Sequence, residues 1–366
     1  MLFTTDHVTV LKMFDAINPR AYAQTRNFGD GAVTQLSPYF SRGLISGRQV
    51  VDVLLKQHGF KTAEKLIQEL AWREYYQRVW QAKGNAIFQD LKQAQQPVLH
   101  HAIPKALLKG ETGISALDRG IADLATSGYV HNHIRMYLAM LATNVGQAHW
   151  RKPADWMYYH LLDGDLASNA LSWQWVAGSF SAKKYWANQD NINHYFGTKD
   201  KGSFLDRPYE GFPLNDVPSI LLDTENPLLT TTLPPQSLPH IDKDLPTLVY
   251  SHYTLDPLWH AGEKANRILL LSPDHFQAHP ISEKVLGFVL DLAQNNLPGI
   301  QVFTGNFADL QKHCAGTKIF FKEHPIHQGF QGQEEPRDWI FPHVKGYYPS
   351  FFAFWKKASA KWSSGN

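Results

Sequence analysis

Prolines recur every few residues from Pro208 to Pro246, including the pair Pro234-Pro235. No long helix survives that spacing, because proline lacks an amide donor and its ring clashes with the preceding turn. The stretch 208–246 therefore reads as an extended linker between parts of different texture. Before it, apolar residues fall at three- and four-residue spacing in Val50–Gln57, Ala63–Trp80, Ile114–Thr126 and Tyr129–Val145, with breaks at Gly59, Gly84, Gly110–Gly113 and Gly128. The spacing predicts an all-α domain over 1–207. After it, short apolar runs at Thr247–Tyr250, Arg267–Leu271, Ile300–Phe303 and Lys318–Phe321 alternate with an amphipathic segment, Ser282–Ala293. That alternation predicts a small α/β domain with parallel strands over 247–366, ending in an aromatic, basic tail from Trp339 to Trp362. The fold class expected overall is α+β.

Charge and cysteine content narrow the chemistry. A formal charge of +2 over 366 residues makes any DNA footprint a local patch and not a property of the whole surface. Cys314 is the only cysteine, which excludes an internal disulfide framework and any thiolate-built cluster or zinc site. The N-terminus has no basic stretch followed by a long apolar core, and no run approaches the roughly 18 apolar residues of a membrane helix. A cytoplasmic monomer with no membrane span is expected. Eleven tryptophans suit core packing, stacking on bases or flavins, and electron passage alike.

The most informative block is Tyr129-Val-His-Asn-His-Ile-Arg-Met136, followed by Asp163-Gly-Asp-Leu-Ala-Ser-Asn169 and Trp173-Gln-Trp175. On a helix Asn132, Arg135 and Met136 share one face. An amide and a guanidinium on one face are costly to bury unpaired, and the Asp163-Gly164-Asp165 turn offers carboxylates to Arg135. The plainer alternative is that this turn only caps a helix. His131 and His133 do not form a metal pair on such a helix, since residues two apart point in different directions. His100 and His101 read as loop residues.

These segments, with Gln35-Leu-Ser-Pro-Tyr-Phe40 and Glu69-Leu-Ala-Trp-Arg-Glu-Tyr-Tyr76 upstream, resemble the flavin-binding signature of the DNA photolyase/cryptochrome family in order, spacing and residue type. The resemblance implies an all-α domain holding a U-shaped FAD. Tyr22 and Ser37, with Thr34, Gln35 and Leu36 in the same loop, would meet its phosphates; Gln35 replaces an arginine of the family. Arg73 would lie beside the cofactor, Arg135 and Asp163 would pair next to the isoalloxazine, Asp165 would hold the ribityl or adenine side, and Asn169 would face flavin N5.

The resemblance also implies a substrate face for DNA containing pyrimidine dimers, with a damaged pair flipped out of the duplex. Glu69 would hydrogen-bond the pyrimidine, Trp72 and Trp175 would wall it, and Asn132, His133 and Met136 would complete the pocket. Arg26 would contact a phosphate on the rim. Trp72 and Trp175 can equally be ordinary core residues. Excited, reduced flavin would give an electron to the dimer, the ring would split and the electron would return, which makes the implied activity a deoxyribodipyrimidine photolyase, a carbon–carbon lyase. Cyclobutane dimers are the expected lesion, with six-four lesions open because Ala187–Gly197 resembles a segment of the six-four branch. The rivals are a cryptochrome-like blue-light receptor and a nucleic-acid-binding flavoprotein without turnover.

Three departures from the family pattern stand out. Trp173 and Trp150 match the first two members of its tryptophan relay, yet residues 81–111 hold no tryptophan for the third, leaving Trp80 or Trp156 as substitutes. The single cysteine excludes the iron–sulfur cluster of the six-four branch. A short form without an N-terminal antenna domain is expected, whereas Leu248–Pro257 and Leu297–Gly305 are faintly similar to antenna strands. A shortened antenna-like domain at the C-terminal end is expected, with a second antenna chromophore left open.

Overall fold

The computed structural model describes residues 3–363. In chain order its first helices are α1 (His7–Lys12), α2 (Pro19–Thr25), α3 (Ser37–Ser41), α4 (Gly47–His58) and α5 (Phe60–Lys83). Then come α6 (Lys105–Lys109), α7 (Ser115–Ser127), α8 (Asn132–Met140), α9 (Arg151–His160), α10 (Leu166–Ala177) and α11 (Gln189–Phe196), with a short antiparallel pair of β1 (Ile103–Pro104) and β2 (Thr224–Glu225). The last third holds β3 (Thr247–Tyr250), β4 (Asn266–Leu271), α12 (Pro273–Ala278), α13 (Glu283–Asn296), β5 (Gln301–Thr304), α14 (Phe307–His313), β6 (Ile319–Lys322), β7 (Gln333–Glu335) and α15 (Phe351–Ala358).

The helices begin and end where local chemistry demands. Ser46 and Gln49 close a capping box on α4, and Gly59 ends it at a φ of 70°. Gly128 ends α7 at a φ of 74°, where its carbonyl accepts from Leu162 N at 2.8 Å and an added Cβ would lie 2.8 Å from the Leu162 side chain. That clamp ties the start of the Tyr129–Met136 block to the loop bearing Asp163. Past α8 the helix widens into a single π turn over Leu141–Val145, with Gly146 N bonding Leu141 O at 2.8 Å.

The chain groups into two compact units, one of residues 1–19, 34–81 and 229–366, the other of residues 20–33 and 82–228. This grouping differs from the expected division at 207 and 246, and the reason lies in α5. Glu74 and Arg78, 5% and 9% exposed, bond to each other at 2.8 Å and spend their other polar atoms on the tail. Arg78 donates to the carbonyls of Val344 and Phe341, and Glu74 accepts from the amides of Ile340 and Phe341. A buried ion pair strapped to the tail backbone keeps α5 with the sheet.

In the sheet unit five parallel strands run in the order β5-β4-β3-β6-β7. β3 is buried at every residue, as a central parallel strand covered on both faces must be. One face packs Val249, Ile268, Leu270, Phe303, Ile319 and Phe321 against Phe307 and Leu310 of α14 and against Cys314. The α/β texture with parallel strands is as expected; β7, a short polar strand, is an addition. The aromatic tail docks within this unit, where Phe351 stacks on Trp72 with ring centroids 3.7 Å apart and planes 9° apart. Among the described residues no helix is long and apolar enough to cross a membrane.

Candidate functional site

In the helical unit the residues of the Tyr129–Asn169 block come together. Arg135 Nη2 meets Asp163 Oδ2 at 2.8 Å, its Nε donates to the Val130 carbonyl at 2.9 Å, and its guanidinium lies 5.6 Å from the Tyr129 ring centre. Asp163 is 7% exposed while the Arg135 side chain keeps 20% of its surface. The guanidinium is thus fixed on two sides and still open on another. Burial raises the Tyr129 phenol above its ordinary range, with Arg135 opposing that rise. On α8, Asn132 is exposed and Arg135 and Met136 are half-buried, whereas Ile134, Tyr137 and Leu138 are buried. The polar face anticipated from spacing is the open face of the helix.

Asp165 caps α10, accepting from Ser168 N at 2.7 Å, so the plainer reading of the turn also holds for one of its oxygens. The Ser168 hydroxyl oxygen is buried with no hydrogen-bond partner among the described residues. Asn169, half-buried one position on, donates from Nδ2 to the Ala154 carbonyl at 2.9 Å, which uses one of its two N–H donors and fixes the orientation of the amide. Trp173 follows on the same face and is 2% exposed. Trp150 is fully buried, with its indole N–H on Asp90 Oδ1 at 2.7 Å. Trp156, a proposed relay substitute, is buried beside His160, and Trp80 is buried beside His324 in the sheet unit.

Trp175 points outward, 36% exposed, with Tyr185 tilted beside it at 5.8 Å. The two line a shallow cleft of about 550 Å³ together with Ser181, Lys183, Lys184 and Trp186. Burial lowers the Lys184 ammonium from its usual value. This basic and aromatic rim was not singled out from the sequence, although Lys183-Lys-Tyr-Trp186 is a readable signal for it. Tyr22 is half-buried on α2, and the half-buried Arg26 turns to Asn27, donating to its side chain at 2.8 Å.

His133 lies deeper than Asn132 on α8. It is 9% exposed, stacks on Tyr137 at 4.5 Å, packs against Tyr195 and Phe196, and its Nδ1 bonds the Asn27 carbonyl at 2.9 Å. Its side of α8 faces the aromatic cluster of α11, and its Nε2 lies 3.4 Å from the Tyr185 hydroxyl. His131 caps α8 from Nδ1, and burial holds its pKa down at about 4.

The remaining expected residues belong to the sheet unit. Thr34, Gln35, Leu36 and Ser37 form the turn into α3, with Gln35 at a φ of 53°, a left-handed conformation rare for a residue with a side chain. Leu36 is fully buried in the core, so its side chain cannot line a phosphate site and only its backbone could serve one. Glu69 pairs with Lys65 at 2.9 Å one turn away, and Arg73 is half-buried on the same helix. One face of Trp72 is already covered by Phe351, so the indole has a single face to offer.

Residues 66–205 match the family of the FAD binding domain of DNA photolyase. A deoxyribodipyrimidine photo-lyase of Streptomyces griseus is 32% identical over 149 residues, 40% of this chain and 32% of its own length. A cryptochrome DASH of Danio rerio is 32% identical over 166 residues, 43% of this chain and 32% of its own. The chain spans about a third of the length of these curated relatives. A crystal structure of a Synechocystis cryptochrome aligns with a TM-score of 0.47 at 21% identity, covering 53% of this chain and 46% of that one. Residues 66–205, with the clamped Arg135, Asp163 and Asn169 within them, are similar to the FAD binding domain of DNA photolyase, and the curated relatives that match them are photolyases and cryptochromes.

Proposed function

We propose that the protein is a light-driven, FAD-dependent DNA photolyase acting on pyrimidine dimers, of the cyclobutane type. The observation that carries this reading is one helix, α10, bearing the half-open amide of Asn169, the buried Trp173 and the outward Trp175 of the basic cleft. The residues present fit a flavin. A guanidinium anchored by Asp163 yet open on one side suits an electron-rich ring system, a neutral amide oriented by Ala154 suits a ring nitrogen, and the buried Ser168 hydroxyl, without a partner among the described residues, suits a polar ligand atom. FAD, when bound and reduced, supplies the light-driven electron that opens the lesion.

The chain's own residues do the rest. Arg135, held by Asp163 and Val130, would hold positive charge beside a bound flavin, where a fixed, oriented charge acts more strongly than in water. Asn169 orients against it without changing its own protonation state. Trp150 and Trp173, buried in the helical unit, are the candidate route for electrons that reduce the cofactor. Trp175 and Tyr185 offer stacking faces to unpaired bases, and Lys183 and Lys184 offer charge to the phosphates between them.

The test is repair itself. Purified protein, reconstituted with FAD and reduced, should restore pyrimidines in a cyclobutane-dimer oligonucleotide under blue light and not in the dark. Trp175→Ala should weaken dimer binding by roughly tenfold, the scale of losing one base stack, with flavin content unchanged. No repair of either lesion type by the flavin-loaded protein would overturn the enzyme reading, and failure to take up stoichiometric flavin would overturn the cofactor reading as well.

A further inference from the structure

The sheet unit carries a second set of chemistry-bearing residues that the flavin reading does not use. Strand order β5-β4-β3-β6-β7 means that the chain moves one way from β3 through β4 to β5 and then crosses back to the other side of β3. The carboxyl ends of β3 and β6 are therefore a topological switch point, the place where open parallel sheets bind ligands. Histidines gather there. His252 follows β3, His275 lies just past β4, and His324 and His327 follow β6. The His252 and His275 rings are 4.9 Å apart, those of His324 and His327 are 5.7 Å apart, and Tyr253 stacks on His324 at 4.9 Å.

His252, His324 and His327 are buried and His275 is half-buried, yet the buried Nε2 atoms of His252, His275 and His327 have no hydrogen-bond partner among the described residues. A buried nitrogen without a partner is costly, and three at one place are unusual in a packed interior. The charges nearest them are cationic. Arg42, wholly buried behind α3 with its guanidinium over Tyr253, acts on His252, and Arg337 acts on His324 and His327. Gly43, at a φ of 70°, delivers Arg42 there, since a Cβ at 43 would lie 2.4 Å from the Tyr253 carbonyl oxygen. The neighbouring carboxylates are engaged elsewhere, Asp256 with Lys322 and Glu323 with Trp339 and Arg337. Among the described residues no histidine, cysteine or carboxylate group is arranged to hold a metal ion.

We propose that the histidines at the carboxyl ends of β3, β4 and β6, with Arg42, form a binding site for a phosphate group, separate from the flavin-binding residues. A phosphate oxygen accepts hydrogen bonds from Nε2–H donors, and a dianion would stabilise protonated imidazoles that an apolar interior otherwise keeps neutral. The phosphate comes either free or as part of a nucleotide.

The test uses the full flavin-loaded protein with its histidines labelled with 15N, titrated with inorganic phosphate, with AMP, and with chloride at matched ionic strength. Phosphate or AMP should shift the Nε2 resonances of His252, His275 and His327 and raise the melting temperature by about 2–4 °C over chloride. Tighter binding of AMP by tenfold or more assigns the phosphate to a nucleotide, and equal binding assigns it to the free ion. His252→Phe and His327→Phe should abolish the response with the flavin spectrum intact, and Lys183→Glu should retain it. Phosphate that leaves those resonances unmoved, or zinc that moves them where phosphate does not, overturns the proposal even if the variants fail to fold. Loss of repair activity bears on neither outcome.

Discussion

Trp72 and Phe351 stack face to face, with 3.7 Å between ring centres and 9° between planes, although 279 positions of sequence separate them. Phe351 is 2% exposed, and a buried phenylalanine truncated to alanine loses about 3–5 kcal/mol. Phe351→Ala should therefore lower stability by about that amount in urea unfolding and shift tryptophan emission to the red. The red shift should shrink when Trp72→Phe is added, since Trp72 stacks on Phe351 more closely than Trp355 does, at 3.7 Å against 6.2 Å.

Removing one partner of the Arg135–Asp163 pair leaves a charge with little access to water. Arg135 keeps 20% of its surface, so the cost falls below that of a fully buried pair, at about 2–3 kcal/mol. Arg135→Met should show that loss and a flavin-to-protein ratio below half of the parent's. In a double-mutant cycle with Asp163→Leu, the combined loss should be smaller than the sum; strict additivity would mean that the pair is not coupled.

Gly128→Ala places a side chain in a left-handed conformation and against Leu162. The expected loss is about 1–3 kcal/mol by thermal unfolding. Because the same residue clamps the loop before Asp163, flavin affinity should fall with it, measured by release of cofactor on dilution.

The helices legible in the sequence are those with a clean apolar stripe and a glycine stop, as α4 and α7 show. Arg135 and Asp163 could be paired from their chemistry before their distance was known, because two such groups in a buried block need each other. What could not be read is what α5 packs against. Its amphipathic pattern says that one side is buried, but only Glu74 and Arg78 reaching residues 340–344 show that the tail does the burying. The burial of His133 was hidden for a similar reason: nothing beside an exposed Asn132 shows that Tyr137 and Tyr195 enclose it. The histidine cluster was invisible because its members follow three different strands.

Stability should also depend on pH through those histidines. Burial holds His275 at about 3 and His327 at about 4, below the 6.5 of an exposed imidazole. The unfolded chain then binds protons that the folded one does not, so their contribution is complete above pH 6.5 and is lost as pH falls towards 4. Without phosphate, the unfolding free energy from urea titration should drop steadily over that window, and the urea midpoint with it. His327→Phe should flatten the slope.

The interleaving of the two units carries a practical consequence for anyone wishing to dissect this polypeptide. Residues 20–33 leave the first unit and 34–81 return to it, so no single scissile position yields either half as an uninterrupted fragment. A gene trimmed at the proline-rich stretch would retain Glu74 and Arg78 while discarding the backbone amides and carbonyls that satisfy them, and the shortened product should accumulate in inclusion bodies.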